Sequence, residues 1–144
     1  MASGLVIGRG LIKEWEKCRL VAYRPFPSDP WTIGWGATGS GITEGTIWDQ
    51  YQADADLDNR TAILCSQINE VLHNAPTAEE LGAMLSLAYN IGFNAFRDST
   101  LLKLFNAGDI VEAADQFNVW IHSAGKVVQG LINRRREERA VFLS

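Results

Sequence analysis

The stretch from residue 14 to residue 39 restricts the fold of this chain more than any other part of its sequence. It begins in a segment with helical apolar spacing and passes at once into a run rich in Gly, Pro and Asp-Pro, which end helices and form turns. Within that run, residues 31–36 alternate in the manner of a short strand. The sequence therefore predicts a helix that ends directly against a β-hairpin or irregular ribbon.

Helices are predicted on both sides of this ribbon. Apolar spacing predicts one over residues 5–15, which ends around 16–18. After the ribbon, Thr43 and Thr46 are candidate N-caps for one or two helices that reach residue 73.

The helical segment before residue 73 has an apolar face and an acidic one. Ile63 is expected on the apolar face together with Leu57 and Leu64. The acidic cluster at 54, 56 and 58 lacks the Gly and the terminal Glu of a calcium-binding loop, so we expect a solvated helix face there.

Pro76 is the clearest break in the chain, because proline cannot continue a helix. Thr77 and Glu80 follow it with the spacing of a capping box. The remaining helices are predicted over 79–91 ending at Gly92, 100–107 capped by Ser99, 110–121 with a second capping box from Asp109 to Glu112, and 130–143, with a loop over 123–129. One ribbon followed by helices is an α+β arrangement.

Composition excludes several classes of protein. The 144 residues fit one domain, and a net charge of −4 argues against non-specific nucleic-acid binding. No apolar run approaches the roughly 18 residues that span a bilayer, and no secretory signal pattern is present. We therefore expect a monomer that folds in the cytoplasm, without stable membrane association and without nucleic-acid partners.

The thiols and imidazoles do not suggest a metal site. Cys18 and Cys65 are expected to be free thiols in a reducing compartment. Cys18 is close enough to Glu16 to raise the idea of a nucleophile, but a small buried residue is the simpler interpretation. His73 and His122 have no ligand partner at zinc-site spacing.

Carboxylates and aromatic residues on one ribbon suit carbohydrate chemistry. Cleavage of a glycosidic bond commonly takes two carboxyl groups, one of which is a proton donor. Glu16 lies next to Trp15 at the edge of a packed helix, where burial favours the protonated form. Taken alone, however, a glutamate at such a position is more often a solvated charge.

The sequence around Glu16 resembles that of the bacteriophage lysozymes, the endolysins of glycoside hydrolase family 24. The first matching stretch is LIKEWEKCRLVAYR at 11–24 with WTIGWG at 31–36. The resemblance continues in the same order through LSLAYNIG at 85–92, AFRDSTLL at 95–102, Trp120, AGK at 124–126 and GLINRRREERAVFL at 130–143.

This resemblance implies a mainly helical, lysozyme-like α+β fold in a single domain over 1–144. A small N-terminal lobe with the β-ribbon would cover about 14–58, and a long connecting helix about 59–75. A helical C-terminal lobe would comprise 76–144 with the N-terminal helix, and a cleft would separate the lobes.

The implied activity is hydrolysis of the β-1,4 bond between N-acetylmuramic acid and N-acetylglucosamine in peptidoglycan, without a cofactor or metal. The partner would be a peptidoglycan glycan strand. The protein would stay in the host cytoplasm until a holin opens the membrane and releases it to the periplasm and cell wall.

The catalytic set of the family is a Glu, an Asp nine positions later and a Thr six positions after that. Glu16 matches the general acid, but Pro25 occupies the aspartate position. Thr32 matches the threonine by its context and lies one position further along. Asp29 is the only carboxylate of the intervening turn, so it is either the substitute or a turn-forming Asp-Pro without catalytic role. Ala37 stands where the family usually has His.

The resemblance also implies substrate-binding residues, with core packing as the alternative for the aromatic ones. Trp120 would back the cleft, and the rest of the arginine run after Arg134 is expected on a solvated helix face. Arg134 itself is expected against Glu16. The substrate-binding set is Gly36, Thr38, Tyr89, Asn90 and Arg134.

Three functions are compatible with these residues. The first is an endolysin in which Glu16 is the acid while Asp29 and Thr32 position water. The second, supported by Pro25, is a lysozyme-like module that binds peptidoglycan with weakened or no catalysis. The third is an enzyme that acts on a modified wall or on chitin oligomers.

Overall fold

The computed structural model describes residues 3–144 as a chain of short strands and helices around two apolar cores. In chain order the elements are α1 (Gly4–Glu16), β1 (Arg19–Tyr23), β2 (Thr32–Gly34), α2 (Gln50–Val71), α3 (Ala78–Ile91), α4 (Phe93–Arg97), α5 (Thr100–Asn106), α6 (Ile110–Asp115), a 3₁₀ helix (Gln116–Val119), β3 (His122–Ser123), β4 (Lys126–Val127) and α7 (Gln129–Leu143). The predicted α+β arrangement is confirmed.

Helix α1 packs closely on α3 through small residues. A β-carbon added to Gly8 would lie 2.6 Å from Leu85 Cδ2, and one added to Gly82 would lie 2.5 Å from Ile7 Cγ2. Glycines that weaken the helical pattern of the sequence are therefore required for this close approach. The contact fixes the direction of α1 and with it the position of its last residue, Glu16.

The ribbon is an antiparallel pair of β1 and β2, in which Arg19 lies opposite Gly34 and Tyr23 opposite Thr32. The register between these two pairs is irregular. The ribbon has a small core of its own, made by Ala22, Ile33, Ala37 and Ile42 with Trp31 and Trp48 packed against it.

The larger core lies among the helices. Each of its fully buried large side chains contributes roughly 1.5–3 kcal/mol through removal from water. These residues include Ile12, Leu57, Ile68, Met84, Leu85, Leu87, Phe96, Leu101, Phe105, Phe117 and Phe142.

Helix α2 begins later than the sequence predicts. Asp49 is its N-cap and forms a capping box with Gln52, whereas Thr43 and Thr46 hydrogen bond to each other in the preceding turn. The cause is a tertiary contact: Ile47 forms an antiparallel bridge with Val21 of the ribbon, so the chain is still extended there and the helix begins after it. Because α2 spans Gln50–Val71, the predicted connecting segment 59–75 covers only its second half and the following turn.

Two further expectations for α2 are wrong. Ile63 is 54% exposed rather than on the buried face, which consists of Ala53, Leu57, Thr61, Leu64 and Ile68. Of the acidic cluster expected in solvent, only Asp58 is exposed, whereas Asp54 and Asp56 are partly buried and hydrogen bonded, Asp54 to Trp35 and Asp56 to Arg60.

The caps of α3 and α5 are confirmed, and that of α6 is wrong. Thr77 and Glu80 form the predicted capping box, and the Ser99 hydroxyl accepts a hydrogen bond from the Leu102 amide. Asp109 makes no side-chain cap bond, and α6 ends at Asp115, where the chain tightens into the 3₁₀ helix.

The segment predicted as a loop over 123–129 contains most of a small hairpin, β3–β4, of which only His122 lies outside it. Its two-residue turn is Ala124-Gly125, and both residues have positive φ, 51° and 76°. Such turns normally carry Asn-Gly or Asp-Gly, so the sequence gives only a weak signal for them.

Both cysteines are free, as predicted, and both are partly buried. Among residues 3–144, no helix is long and apolar enough to cross a membrane.

Candidate active site

Glu16 is the last residue of α1, and its side chain is 20% exposed. Its Oε2 atom accepts a hydrogen bond of 2.7 Å from Nη1 of Arg134, a residue 118 positions away on α7. The carboxylate therefore joins the two ends of the chain, and the predicted contact between these residues is present.

The Arg134 guanidinium is buried and held from several sides. Nε donates to Oε2 of Glu138 at 3.1 Å, and Nη2 donates to the Ser86 carbonyl at 3.1 Å. Glu138 is fully buried and also accepts from the Ser86 hydroxyl. Because these bonds fix the planar guanidinium, its Nη1 presents a rigid donor to Glu16.

Arg135 extends this network toward the end of α3, contrary to the expectation of a solvated arginine run. Its Nη1 donates to Oε1 of Glu138 at 2.6 Å, its Nε donates to the Trp120 carbonyl at 2.9 Å, and its Nη2 donates to Asn90 Oδ1. Burial lowers the pKa of the Arg135 guanidinium, which the neighbouring Glu138 carboxylate opposes.

A helical stripe in the sequence explains why Arg135 and Glu138 are buried. Residues 131, 134, 135, 138 and 142 follow the spacing of one helix face, and Phe142 on that face is buried in the core. Arg136 lies off the stripe and is exposed. The periodicity could therefore have separated the buried arginines from the exposed one.

Gly36 brings the ribbon backbone against the Glu16 carboxylate. A β-carbon added to Gly36 would lie 2.6 Å from Glu16 Oε1, and the residue has φ of +93°. Both the close approach and the positive φ require glycine. The two carboxylate oxygens thus have different surroundings, Arg134 at Oε2 and Gly36 at Oε1.

Tyr89 ties α3 to the ribbon beside Glu16. Its hydroxyl donates to the Trp35 carbonyl at 2.7 Å. Burial raises the pKa of the Tyr89 phenol, and the Glu16 carboxylate adds to this effect, so the hydroxyl stays protonated as a donor.

Trp35 is anchored by a residue that the sequence analysis assigned to solvent. Its Nε1 donates to Asp54 Oδ1 at 2.9 Å, and Gln50 donates to the same oxygen. The Trp35 hydrogen bond is the main reason that the pKa of Asp54 is lowered. Asp54 thus holds the tryptophan that precedes Gly36, a role with no signal in the sequence.

A small cavity of about 340 Å³ lies on one side of this junction. Gly36, Thr38, Arg60 and Tyr89 are among the residues that line it. Arg60 Nη2 donates to the Thr38 carbonyl at 3.1 Å while its Nε binds Asp56, so the backbone at Thr38 is fixed.

A larger cleft of about 1100 Å³ lies between the ribbon and the helical part. Tyr23, Pro25 and Phe26 line it from the ribbon side. From the helical side it is lined by Asn90, Ile91, Val119, Trp120, His122, Ser123, Val128, Leu131 and Arg135. Glu16 lines neither cavity, but its carboxylate lies against Gly36 in the wall of the smaller one. It is connected to the larger cleft by a chain of hydrogen bonds, from Glu16 to Arg134, to Glu138 and then to Arg135 in the cleft wall.

The structure does not bring Asp29 and Thr32 into hydrogen-bond contact with Glu16. The Thr32 hydroxyl donates to the Pro30 carbonyl at 3.1 Å. The Asp29 amide donates to the Phe26 carbonyl at 2.9 Å and closes a turn, while within residues 3–144 its carboxylate makes no hydrogen bond or ion pair. Pro25, which stands at the family's aspartate position, lines the larger cleft.

Comparisons with known proteins identify the family. The phage lysozyme family model matches residues 13–138. The chain belongs to the phage lysozyme family. The endolysin of Bacillus phage PZA is 38% identical over 138 residues, which cover 95% of this chain and 54% of that protein. The chain thus spans about half the length of this curated relative.

Solved structures of similar proteins have the same fold. The muramidase domain of SpmX from Asticaccaulis excentricus has a TM-score of 0.85 at 33% identity, with 95% of both chains covered. The endolysin from the Escherichia coli O157:H7 phage FAHEc1 has a TM-score of 0.84 at 32% identity, with 96% of this chain and 91% of that chain covered. The predicted lysozyme-like fold is confirmed by these neighbours.

Proposed function

We propose that this member of the phage lysozyme family is an endolysin that hydrolyses peptidoglycan at the β-1,4 bond between N-acetylmuramic acid and N-acetylglucosamine. The observation that carries the proposal is the Glu16 carboxylate, which is partly exposed, is held at one oxygen by the buried Arg134 and lies against Gly36 in the wall of the smaller cavity. The muramidase and endolysin names of its structural neighbours agree with this assignment.

Glu16 would be the general acid of the reaction. Arg134 occupies Oε2, so the proton to be donated would sit on Oε1, the oxygen that faces Gly36. From there it would pass to the bridging oxygen of the scissile bond as that bond breaks. The rigid support of Arg134 by Ser86 and Glu138 would keep the carboxyl in one orientation through the reaction.

Asp29 and Thr32 would position the attacking water on the opposite face of the sugar. The water oxygen would bond to the anomeric carbon, and its proton would pass to the Asp29 carboxylate. Such an inverting reaction needs carboxyl groups about 6.5–9.5 Å apart. Asp29 supports the role by carrying a carboxylate that, within residues 3–144, has no hydrogen-bond or ion-pair partner. Gly36, Thr38, Tyr89, Asn90 and Arg134 would form the substrate-binding surface.

The Asp29 role is tested by Asp29→Asn beside Thr32→Val. Both variants should lower kcat by at least about a hundredfold, and proton NMR of the first product should show an inverted anomeric centre. Full activity of Asp29→Asn would contradict the role of Asp29 and leave that of Glu16 untouched.

A peptidoglycan-binding module without catalysis is the second candidate, because Pro25 stands at the family's aspartate position and lines the cleft. A turbidity assay on cells stripped of their outer membrane separates the two. An endolysin clears the suspension and releases new reducing ends, whereas a binding module pellets with the walls and leaves turbidity unchanged.

We also propose that the chain acts as a monomer on glycan strands and as a single domain of two lobes joined by residues 59–75. It would remain in the host cytoplasm until a holin opens the membrane. Light scattering tests the monomeric state, and the timing of lysis with and without a co-expressed holin tests the release.

A further inference from the structure

Phe26 is an exposed aromatic ring on the turn that joins β1 to β2. Its side chain is 67% exposed, although burial of a phenylalanine is normally favourable. The apolar core of the ribbon is complete without it, since Trp31 and Trp48 cover that core. Phe26 therefore does not serve the packing of the ribbon.

The turn holds Phe26 in one place. Pro25 and Pro27 flank it, and each proline restricts its own φ and the conformation of the preceding residue. The Phe26 carbonyl accepts a hydrogen bond of 2.9 Å from the Asp29 amide. Much of the backbone entropy that a binding loop would lose is thus already removed.

Phe26 lines the larger cleft, and apolar side chains line the opposite wall. Trp120, Val128 and Leu131 lie on that wall, together with the polar residues His122 and Ser123. An apolar surface with a few polar groups is typical of a site for a small ring-shaped ligand. A pyranose ring matches this surface, because its axial C–H groups form an apolar face and its hydroxyl and acetamido groups form a polar rim.

We propose that Phe26 is a sugar-binding residue that stacks on the apolar face of one N-acetylhexosamine ring of the glycan strand. The inference rests on the proposed function. The phenyl ring of Phe26 lies on the turn in which this chain departs from the residue spacing of its family. The proposed sugar contact is therefore specific to this chain rather than shared by the family. Phe26 would strengthen glycan binding without taking part in bond cleavage.

The test measures binding of two probes by calorimetry, chitotetraose and a muropeptide tetrasaccharide that carries stem peptides. Phe26→Ala should weaken the binding of both probes about tenfold, because the contact is with the sugar ring. Phe26→Trp should retain binding within about twofold. In the lysis assay Phe26→Ala should raise KM and leave kcat nearly unchanged.

Tyr51→Ala is the matched control. Tyr51 is also an exposed aromatic residue, 81% exposed on α2, and lines neither cavity described above, so its removal should change neither Kd. Unchanged binding by Phe26→Ala would overturn the inference, as would a loss restricted to the peptide-bearing probe. If the wild-type protein binds chitotetraose through Phe26 but fails to clear cells, the proposed hydrolysis is wrong and the subsite stands.

Discussion

Arg134 Nη1 lies 2.7 Å from Glu16 Oε2. The two residues are at opposite ends of the chain, and the arginine is itself held by Glu138 and Ser86. Because the guanidinium is buried and bonded to Glu138 and Ser86, it cannot readily follow the carboxylate if Glu16 moves. The geometry of the proposed acid is thus set by the helical part, while Gly36 of the ribbon closes on its other oxygen.

Gly36→Ala should abolish lysis. The new methyl group would lie 2.6 Å from Glu16 Oε1 and force the carboxyl out of position, in a backbone with φ of +93°. We expect a loss of activity of at least about a hundredfold and a loss of stability of about 1–3 kcal/mol. Turbidity clearing and thermal unfolding measure the two effects.

Gly39→Ala is the control for Gly36→Ala. Gly39 also has positive φ, +120°, but a β-carbon there would meet no atom within 4 Å. The Gly39→Ala protein should therefore have a lower free energy of unfolding and wild-type lytic activity. Equal loss of activity in both variants would mean that backbone strain, not contact with Glu16, is responsible.

Lys17→Gly should stabilise the protein. Lys17 follows Glu16 with φ of 60° and ψ of 153°, a backbone region that is essentially restricted to glycine. Relief of this strain should raise the free energy of unfolding by about 1 kcal/mol and Tm by about 3 °C, as measured by calorimetry.

Lys17→Ala separates the backbone from the side chain. It removes the lysine side chain but keeps the β-carbon, and therefore the strain. If Lys17→Ala stabilised the protein as much as Lys17→Gly, the gain would come from loss of the charge and the strain argument would fail.

Glu137 should make the stability depend on pH. Burial, and then the hydrogen bond and charge of Glu14, raise the pKa of Glu137 to about 7 from 4.5. Between these values the folded protein binds more protons than the unfolded chain, so the free energy of unfolding falls as the pH rises from 4.5 to 7. Glu137→Gln should remove this fall and stabilise the protein at pH 8, by at most about 1 kcal/mol for a partly exposed group.

Denaturant unfolding at a series of pH values tests this prediction. Glu14→Gln should flatten the same window, because it removes the partner that helps to raise the pKa of Glu137. A pH dependence that survives in both variants would have to come from other groups.

The sequence predicts correctly those helix boundaries that depend on capping residues and glycines next to the boundary itself. Thr77 and Ser99 cap their helices through their own hydroxyl groups, and Gly92 ends α3 with positive φ. The start of α2 was missed because Ile47 pairs with Val21, a contact that no local pattern encodes.

The sequence predicts the candidate site in part, because some of its residues are positioned only by contacts between distant segments of the chain. Family resemblance pointed to Glu16 and Arg134, and the structure joins them. Arg135 and Glu138 are buried because they lie on the same helix face as Phe142. That spacing is easily overlooked in the sequence, because a run of consecutive arginines suggests a solvated surface. Asp54 was assigned to solvent, since only the folded ribbon brings the Trp35 indole to it.

The most direct test of the account is the lysis rate of Glu16→Gln on peptidoglycan, with Glu14→Gln as the control from the same helix end. Glutamine keeps the size of Glu16 and removes its acidic proton, so we expect clearing to fall at least about a thousandfold, while Glu14→Gln clears at close to the wild-type rate. Folding of both proteins is checked by circular dichroism. A Glu16→Gln protein that clears cells as fast as the wild type would contradict the assignment of Glu16 as the general acid.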